Sequence, residues 1–337
     1  MVVPLGPGLD TLCSLMFELS NQDRLRILKR LRRGPSNVTG VSEDLGLSTQ
    51  ETSRQLSRLA RVGLTRKDTE ALHHITSYAE LVLEQLPGLD FASEHTDYFN
   101  GHSVTGLPSK FVGRLGDLVK AERIEEIMAG LHSVDRMIQR AEEYVWSVTD
   151  QYLVSTTVPL REALERGVSV RNLEGKYCVP PQADDSWYGG LEDRALQRAR
   201  GKGLLEERIL EHVEVYLYMS EREVGALAFP LHDGRFDYLG FASEDESTRM
   251  WCEDLFEHYW ERAEDRVGFF EEIKRWLVTN PRAIGALRAI GEGKKTPAAD
   301  EMVSEFETRG VMRGGKLTIL GIMAYASIME RPRARDD

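Results

Sequence analysis

Apolar residues recur at helical spacing in the first quarter of the chain. Val41 and Leu45 share one face of a short predicted helix, which ends at Gly46, a residue that readily takes the left-handed backbone of a helix end. Ser48 stands three residues before Glu51, the spacing of a reciprocal cap at the start of a second helix. The pattern therefore predicts two helices joined by a tight turn.

The second predicted helix has one apolar and one hydrogen-bonding face. Leu56, Leu59, Ala60 and Leu64 repeat at helical spacing. The other face carries Gln50, Ser53, Arg54, Gln55, Ser57, Arg58 and Arg61. Two strands are predicted next, at 64–67 and 72–75, with a turn at 68–71 and a helix over 77–86 capped by Thr76. This order is typical of a winged helix-turn-helix.

The side chains on the polar face suit nucleic acid. Arginine can bind guanine through two hydrogen bonds in the major groove, glutamine can bind adenine in the same way, and a helix fits that groove. The candidate residues for binding double-stranded DNA are Ser48, Gln50, Ser53, Arg54, Gln55, Ser57 and Arg58 on the turn and helix, with Arg66 and Lys67 on the wing. The alternative is a helix hairpin whose arginines are only solvated.

Charge is distributed unevenly along the chain. Residues 24–68 carry a formal charge of +7, whereas the whole chain of 337 residues carries −12. A basic segment in an acidic protein is a localised electrostatic footprint for a polyanion, since the remaining surface repels phosphate. The charge distribution therefore favours DNA contact through this segment.

The same residues resemble the winged helices of ArsR-like transcriptional regulators. The resemblance is carried by Leu45-Gly46-Leu47-Ser48, by Ser53-Arg54-Gln55-Leu56 with Leu59, and by Gly63-Leu64. It covers about the first quarter of the chain and implies a DNA-binding domain. Metal sensing does not carry over, because the recognition helix has no cluster of Cys, His or carboxylate ligands.

The middle of the chain alternates between strand and helix patterns. Strands are predicted at 143–149 and 168–173, with a helix over 159–166 between them, an order that requires parallel strands. Further strands are predicted at 212–219, 224–229 and 236–241, preceded by a helix over 131–141 and followed by one over 246–265. These elements predict an α/β domain of about five strands.

Composition changes set the predicted boundaries. Leu86-Pro87-Gly88 is expected to end the winged helix, and the polar, aperiodic stretch at 93–108 reads as a connector. The prediction is an α+β multidomain protein with a winged helix-turn-helix at 1–88, a linker at 89–110, an α/β effector domain at 111–270 and a C-terminal unit at 271–337.

The central region resembles the effector domain behind archaeal winged helices in regulators of the methanogenesis-regulator type. The resemblance is carried by REALERGVSVRNL, HDGRFDYLGFASEDE and WCEDLFEHYWERA. It implies a non-catalytic, phospholipase-D-like sensor. No histidine is followed two residues later by lysine, as that phosphotransfer chemistry requires, and no nucleotide-binding or hydrolase motif occurs. Neither a catalytic residue nor a cofactor is therefore expected.

A small-molecule effector is expected where the parallel strands end. Asp150 can accept hydrogen bonds from hydroxyl or amine groups. Tyr152, Tyr177, Trp187 and Tyr188 can stack on a flat ligand. The alternative is that Asp150 caps a local turn and the aromatic residues pack in the core or in a dimer.

The C-terminal pattern repeats the outline of the first. Helices are predicted over 281–291 and 297–309, then a hairpin turning at Gly314-Gly315 and a helix over 320–329. The small helix before the recognition position is not evident, and Glu301, Glu305 and Glu307 lie where DNA would meet the helix. Carboxylates there repel phosphate. The prediction is a degenerate winged helix used for packing or dimerisation.

The sequence as a whole predicts a cytoplasmic, homodimeric, DNA-binding transcriptional regulator. The hydrophobic content of 41% and charged content of 29% are globular values, and the three cysteines suggest neither a disulfide framework nor a zinc site. Neither a membrane-spanning segment nor a signal peptide is expected from the apolar runs. Two alternatives stay open: an enzyme on the α/β domain, and a protein-interaction module that uses the winged helix without DNA.

Overall fold

A computed structural model describes residues 8–151, 154–179, 194–294 and 296–329. The chain divides into two compact units, Met1–Asp90 and Phe91–Asp337. Each unit has its own apolar interior, and each is described separately below.

The first unit is built from helices followed by a short hairpin. The helices are α1 (Leu9–Leu19), α2 (Gln22–Leu31), α3 (Val38–Leu45), α4 (Thr49–Arg61) and α5 (Ser77–Glu94), and the antiparallel hairpin consists of β1 (Thr65–Lys67) and β2 (His73–Ile75). Ile27, Leu28, Val41, Leu56 and Leu59 form the centre of its core. We call residues 22–90 the N-terminal hairpin region.

Local signals in this region confirm the predicted helix-turn-helix and hairpin. The Asn37 side chain caps α3, and Gly46 ends it at a φ of +68°, where a Cβ would be strained. Thr76 Oγ1 accepts a hydrogen bond from Ala79 N at 3.1 Å, as predicted for the helix after the wing. The capping and turn residues therefore position the two helices and the hairpin as the sequence pattern indicates.

The stretch after the wing differs from the predicted connector. Helix α5 continues through Pro87 to Glu94, and the short helix α6 (Thr96–Phe99) follows. Phe91, Tyr98 and Leu107 are buried in the core of the second unit, and the Tyr98 hydroxyl accepts a hydrogen bond from Phe229 N at 3.0 Å. Burial of these apolar side chains outweighs the helix-breaking character of Pro87, which removes a single amide donor.

An eight-stranded mixed sheet, counted among the described residues, organises the second unit. Its strands are β3 (Glu122–Ile124), β4 (Tyr144–Thr149), β5 (Ser169–Gly175), β6 (Leu205–Leu210), β7 (Tyr216–Ser220), β8 (Val224–Ala228), β9 (Gly240–Ser243) and β10 (Glu264–Asp265). They lie in the order β10-β6-β5-β4-β7-β8-β9-β3. Strands β4, β5 and β6 are parallel neighbours, and the remaining pairings are antiparallel.

Helices cover both faces of this sheet. The main ones are α8 (Ile127–Arg140), α9 (Thr157–Arg166), α10 (Arg194–Gly201) and α11 (Glu246–Trp260), after the short helix α7 (Ser109–Val112) and a 3-10 turn (Leu115–Leu118). Met137 and Ala163 pack on one face, and Trp251 and Phe256 pack on the other. Because each strand alternates its side chains between the faces, both layers are apolar.

The predicted parallel β4–helix–β5 unit is confirmed, whereas the predicted strand count is too low. The sequence does not predict β6, because its residues LEERIL are mostly charged; in the structure Arg171 and Arg200 pair with Glu206 and Glu207. It does not predict β3 and β10 because these are short edge strands. The strand predicted at 236–241 lies instead at Gly240–Ser243. The apolar pattern of residues 236–241 resembles a strand that begins at Phe236, but Phe236 is buried without belonging to a strand.

The chain ends in a second helix–hairpin arrangement, which we call the C-terminal hairpin region, residues 266–329. It contains α12 (Arg266–Thr279), α13 (Pro281–Gly291), α14 (Pro297–Thr308), the hairpin β11 (Met312–Arg313) with β12 (Lys316–Leu317), and α15 (Ile319–Met329). Three helices therefore precede the hairpin. The expectation that a helix is missing here is wrong, because Ile273 and Leu277 place α12 in the same core as α13 to α15.

Candidate nucleic-acid interface

Helix α4 is fixed at its start by one half of the predicted reciprocal cap. Ser48 Oγ accepts a hydrogen bond from Glu51 N at 3.1 Å. The Glu51 carboxylate does not return to Ser48; it accepts hydrogen bonds from Arg54, at 2.6 Å, and from Gln55. These side-chain hydrogen bonds lower the pKa of Glu51, with that from Arg54 contributing most. Glu51 is therefore anionic at neutral pH and orients Arg54.

Gln55 is turned inward, which differs from its predicted place on the DNA-facing side. Its side chain is 4% exposed, and its Oε1 accepts a hydrogen bond from Arg24 Nη1 at 3.0 Å. Arg24 is itself buried and donates to the main-chain oxygens of Phe17 and Glu18. A buried arginine needs such acceptors because it cannot lose its proton. The amide of Gln55 thus satisfies Arg24 and is not presented to solvent.

Arg58 is held by an ion pair to the first helix. Its Nε and Nη2 donate to the two carboxylate oxygens of Glu18 at 3.0 and 2.8 Å, and its guanidinium lies 5.4 Å from the centroid of the Phe17 ring. The hydrogen bond from Arg58 lowers the pKa of Glu18. Sequence reasoning missed this pair because Glu18 lies 40 residues away from Arg58. Arg58 therefore ties α1 to α4.

The remaining predicted residues of α4 are exposed. Gln50, Ser53, Arg54 and Ser57 face solvent, as does Arg61, one turn before the wing. Ser57 Oγ donates to Ser53 O at 2.8 Å, so this hydroxyl proton is satisfied within the helix. The structure therefore retains a polar, exposed face on α4, narrower than the sequence pattern indicates.

The wing carries its cations on exposed positions. Arg66 and Lys67 lie on β1, paired with His74 and His73 across the hairpin. Asp68 closes the turn, with Oδ1 accepting from the amides of Glu70 and Leu72 at 2.9 Å and Oδ2 lying 2.6 Å from His74 Nε2. The contact with His74 contributes most to lowering the pKa of Asp68. These hydrogen bonds hold the turn together, and Arg66 and Lys67 lie beside it on β1.

Ion pairs inside the first unit reduce the basic footprint that the sequence suggests. Arg24 and Arg58 both pair with Glu18, Arg30 pairs with Asp44, and Arg32 lies against Glu80 and Glu84. Within the described part of this unit, the exposed cations without an ion pair are Lys29, Arg33, Arg61, Arg66 and Lys67. Three of these, Arg61, Arg66 and Lys67, lie on the end of α4 and the adjacent wing.

Two of the five predicted effector residues line a cleft of 980 Å³ in the second unit. Asp150 and Tyr177 both line it, whereas Tyr152, Trp187 and Tyr188 lie outside the described residues. The Tyr238 hydroxyl donates to Asp150 Oδ1 at 3.0 Å, and burial raises the pKa of Asp150. The Asp150 carboxylate therefore lies in the wall of the cleft. It accepts a hydrogen bond from the Tyr238 hydroxyl, which is the kind of contact predicted between Asp150 and a ligand.

Among the residues that the structure describes, the Cys, His, Asp and Glu side chains form no group of three or more that could hold a metal ion. None of the helices among them has the length and apolar character needed to cross a membrane.

Comparison with known proteins identifies the first region. Residues 21–67, from the cap of α2 to the end of β1, match the family model described as bacterial regulatory protein, arsR family. They therefore form an ArsR-family helix-turn-helix region. No curated protein matches the chain.

Among solved structures, the chain is similar to TrmBL2, described as an archaeal chromatin protein with a novel mode of DNA binding. The match has 16% sequence identity and a TM-score of 0.35, and it covers 73% of this chain and 94% of that one.

Proposed function

We propose that this protein is a sequence-specific, DNA-binding transcriptional regulator whose ArsR-family region contacts double-stranded DNA. The observation that carries the proposal is the juxtaposition, within that region, of a capped helix with an exposed polar face and a wing with two unpaired cations. A helix of this kind fits the major groove, and wing cations reach the flanking phosphates.

The contacts divide by chemistry. Arg54, Gln50 and Ser53 lie on the exposed first turns of α4 and are assigned to base edges. Arg61, Arg66 and Lys67 lack ion-pair partners among the described residues and are assigned to phosphates. Gln55 and Arg58 support this surface from within, because their polar atoms are engaged by Arg24, Glu51 and Glu18.

A homodimer is part of the proposal. A single helix of 13 residues reads only a few base pairs, so useful specificity calls for two half-sites about 34 Å apart. Exposed apolar side chains are available on α1, where Leu12, Met16 and Phe17 are 48%, 42% and 63% exposed. Tyr78 and Leu81 on α5 are also exposed. Apolar surface of this kind marks an interaction site.

A small-molecule effector in the 980 Å³ cleft completes the proposal. Asp150 supplies an acceptor, Tyr177 and Phe236 supply aromatic surface, and the volume matches that of ordinary ligand pockets. Such a ligand changes DNA binding only if its affinity differs between the binding-competent and incompetent states. The C-terminal hairpin region is assigned to packing or dimerisation, because its helix α14 is acidic.

The test is duplex binding by the full chain as a function of salt. An operator is first selected from random-sequence duplexes, and affinity is then measured by fluorescence anisotropy across a salt series. Preferential binding with a steep inverse salt dependence is expected, since phosphate contacts release counterions. A protein-interaction module would show neither a preference for the selected operator nor this salt dependence. Turnover of a molecule bound in the cleft would instead favour an enzyme.

A further inference from the structure

A continuous chain of hydrogen-bonded side chains leads from the interior of the N-terminal hairpin region to the exposed face of helix α4. At its inner end the side chain of Arg24 is 7% exposed, whereas at its outer end the side chain of Arg54 is 69% exposed. Gln55 and Glu51 lie between them. The chain therefore connects a buried cation to a residue that is assigned to base edges.

The inner half of this chain fixes the direction of the Gln55 amide. Arg24 Nη1 donates to Gln55 Oε1 at 3.0 Å, and Gln55 Nε2 donates to Glu51 Oε1. The reverse orientation would set the amide N–H groups against a guanidinium, which has donors only, and the amide oxygen against a carboxylate. Because Arg24 also donates to the main-chain oxygens of Phe17 and Glu18, Gln55 is anchored and in turn anchors one oxygen of Glu51.

The outer half of the chain sets the direction of the Arg54 guanidinium. Arg54 Nη2 donates to Glu51 Oε2 at 2.6 Å, while Oε1 of the same carboxylate is engaged by Gln55. Arginine has five N–H donors, and this is the one hydrogen bond that the Arg54 side chain gives to the described residues. Enough donors therefore remain for a two-point contact with N7 and O6 of guanine in the major groove.

The negative charge of Glu51 favours a role in discrimination over a role in affinity. Its side chain is 30% exposed on the helix that is assigned to DNA, so it repels the phosphates of any duplex. A group that costs affinity for every sequence still increases the difference between sequences when it holds a base-reading side chain ready for the correct base.

We infer that Glu51 is a specificity-determining positioning residue, which holds Arg54 for a guanine in the operator. The inference rests on the proposed DNA-binding function and adds to it the base that is read. Without Glu51, the long side chain of Arg54 has to be ordered at the moment of binding, and that ordering costs conformational entropy.

The first measurement compares two duplexes in the full-chain variant Glu51→Ala. Fluorescence anisotropy gives the affinity for the selected operator and for a scrambled duplex. Operator affinity should fall, whereas affinity for the scrambled duplex should stay or rise, because a negative charge is removed. The preference for the operator should therefore fall about threefold to tenfold. A merely structural loss in α4 would weaken binding to both duplexes.

Glu43→Ala is the matched control. Glu43 is an exposed carboxylate on α3, and its side chain has neither a hydrogen bond nor an ion pair among the described residues. Its removal changes the charge by the same amount as Glu51→Ala. Affinity for the two duplexes should shift by the same factor, so the preference for the operator should stay unchanged.

A second measurement identifies the base and the residue that reads it. Each guanine of the operator is replaced in turn by 7-deazaguanine, which lacks the N7 acceptor. One replacement should weaken binding by the parent chain, and its effect should be smaller in Glu51→Ala and absent in Arg54→Ala.

Circular dichroism verifies that the variants fold. Should Glu51→Ala fail to fold, Glu51→Gln takes its place, because a carboxamide has one acceptor oxygen instead of two and cannot hold both Arg54 and Gln55 as the carboxylate does. The same fall in preference and the same smaller effect of 7-deazaguanine are expected.

Three outcomes would overturn the inference: an unchanged preference in the folded Glu51 variant, equal weakening of both duplexes, or no 7-deazaguanine replacement that distinguishes the parent chain from Arg54→Ala. Failure of the proposed function looks different, because the parent chain itself would then show neither a preferred operator nor a steep salt dependence. That result would overturn both.

Discussion

The N-terminal and C-terminal hairpin regions have the same order of elements and opposite surface chemistry. In both, three helices precede a short antiparallel hairpin and one helix follows it. In the N-terminal region the helix before the hairpin is α4, which carries three arginines and one glutamate. In the C-terminal region it is α14, which carries four carboxylates and no cation. The hairpins are alike, with Arg66 and Lys67 in one and Arg313 and Lys316 in the other.

This contrast shows that the outline of a fold does not determine its ligand. The same apolar spacing builds both cores, because burial depends on which positions are apolar. The exposed face of the third helix then decides whether a phosphate backbone is attracted or repelled. The predictions below address that difference, beginning with the largest expected effect.

The first prediction concerns the buried arginine of the N-terminal region. Arg24→Met leaves Glu18 with fewer partners and removes the donor to Gln55, so it should destabilise this region by about 3–5 kcal/mol. The matched change Arg309→Met removes an exposed pair with Glu305, which contributes at most about 1 kcal/mol. Hydrogen exchange of peptides from each region, followed by mass spectrometry, measures both effects. An equal loss of protection in Arg24→Met and Arg309→Met would contradict the expectation that the buried arginine contributes more to stability.

The second prediction concerns base reading. Arg54→Ala should weaken binding to the selected operator by about 1–3 kcal/mol and relax the sequence preference. The control is Glu301→Ala on α14, which should leave operator affinity unchanged. Anisotropy titrations with the operator and with a scrambled duplex separate lost specificity from lost affinity. Unchanged operator affinity in Arg54→Ala would show that α4 does not read bases.

The third prediction concerns acid sensitivity. Burial lowers the pKa of His73 below its ordinary 6.5, and its Nδ1 has no hydrogen-bond partner among the described residues. Because the unfolded state binds the proton more tightly, the stabilisation is complete above about pH 6.5 and declines as pH falls toward the folded-state pKa. Hydrogen exchange at pH 7 and pH 5, corrected for intrinsic rates, should show the N-terminal region losing protection.

The C-terminal region supplies the control for this pH effect, because residues 266–329 contain no histidine. Its protection should change less over the same pH range. The variant His73→Phe should also remove much of the pH dependence in the N-terminal region. An undiminished response in that variant, once it is shown to fold, would assign the effect to other groups, such as Glu18.

The sequence predicted what depends on local pattern. The Ser48 cap, the Gly46 helix end and the hairpin follow from residues within a few positions of one another. The inward position of Gln55 could not be predicted, because it depends on Arg24, which is 31 residues away. The ion pair between Arg58 and Glu18 could not be predicted either, because these residues are 40 positions apart. A long-range hydrogen bond to Gln55 and a long-range ion pair to Arg58 thus decide which polar residues of α4 are exposed.

The same limit applies to the second unit. Asp150 and Tyr177 line one cleft because the parallel strands β4 and β5, which precede them, end at a common edge of the sheet. The sequence pattern predicts one helix up to residue 265, whereas α11 ends at Trp260 and a separate helix, α12, begins at Arg266.

The most direct test of the central claim is the salt dependence of operator binding in two matched triple variants. In Arg61→Ala/Arg66→Ala/Lys67→Ala, three phosphate contacts are removed, so the slope of log affinity against log salt should fall by about 2.7. In Arg309→Ala/Arg313→Ala/Lys316→Ala, the slope should stay unchanged. A slope that falls only in the C-terminal variant, with both proteins folded, would contradict the assignment of DNA binding to the N-terminal region.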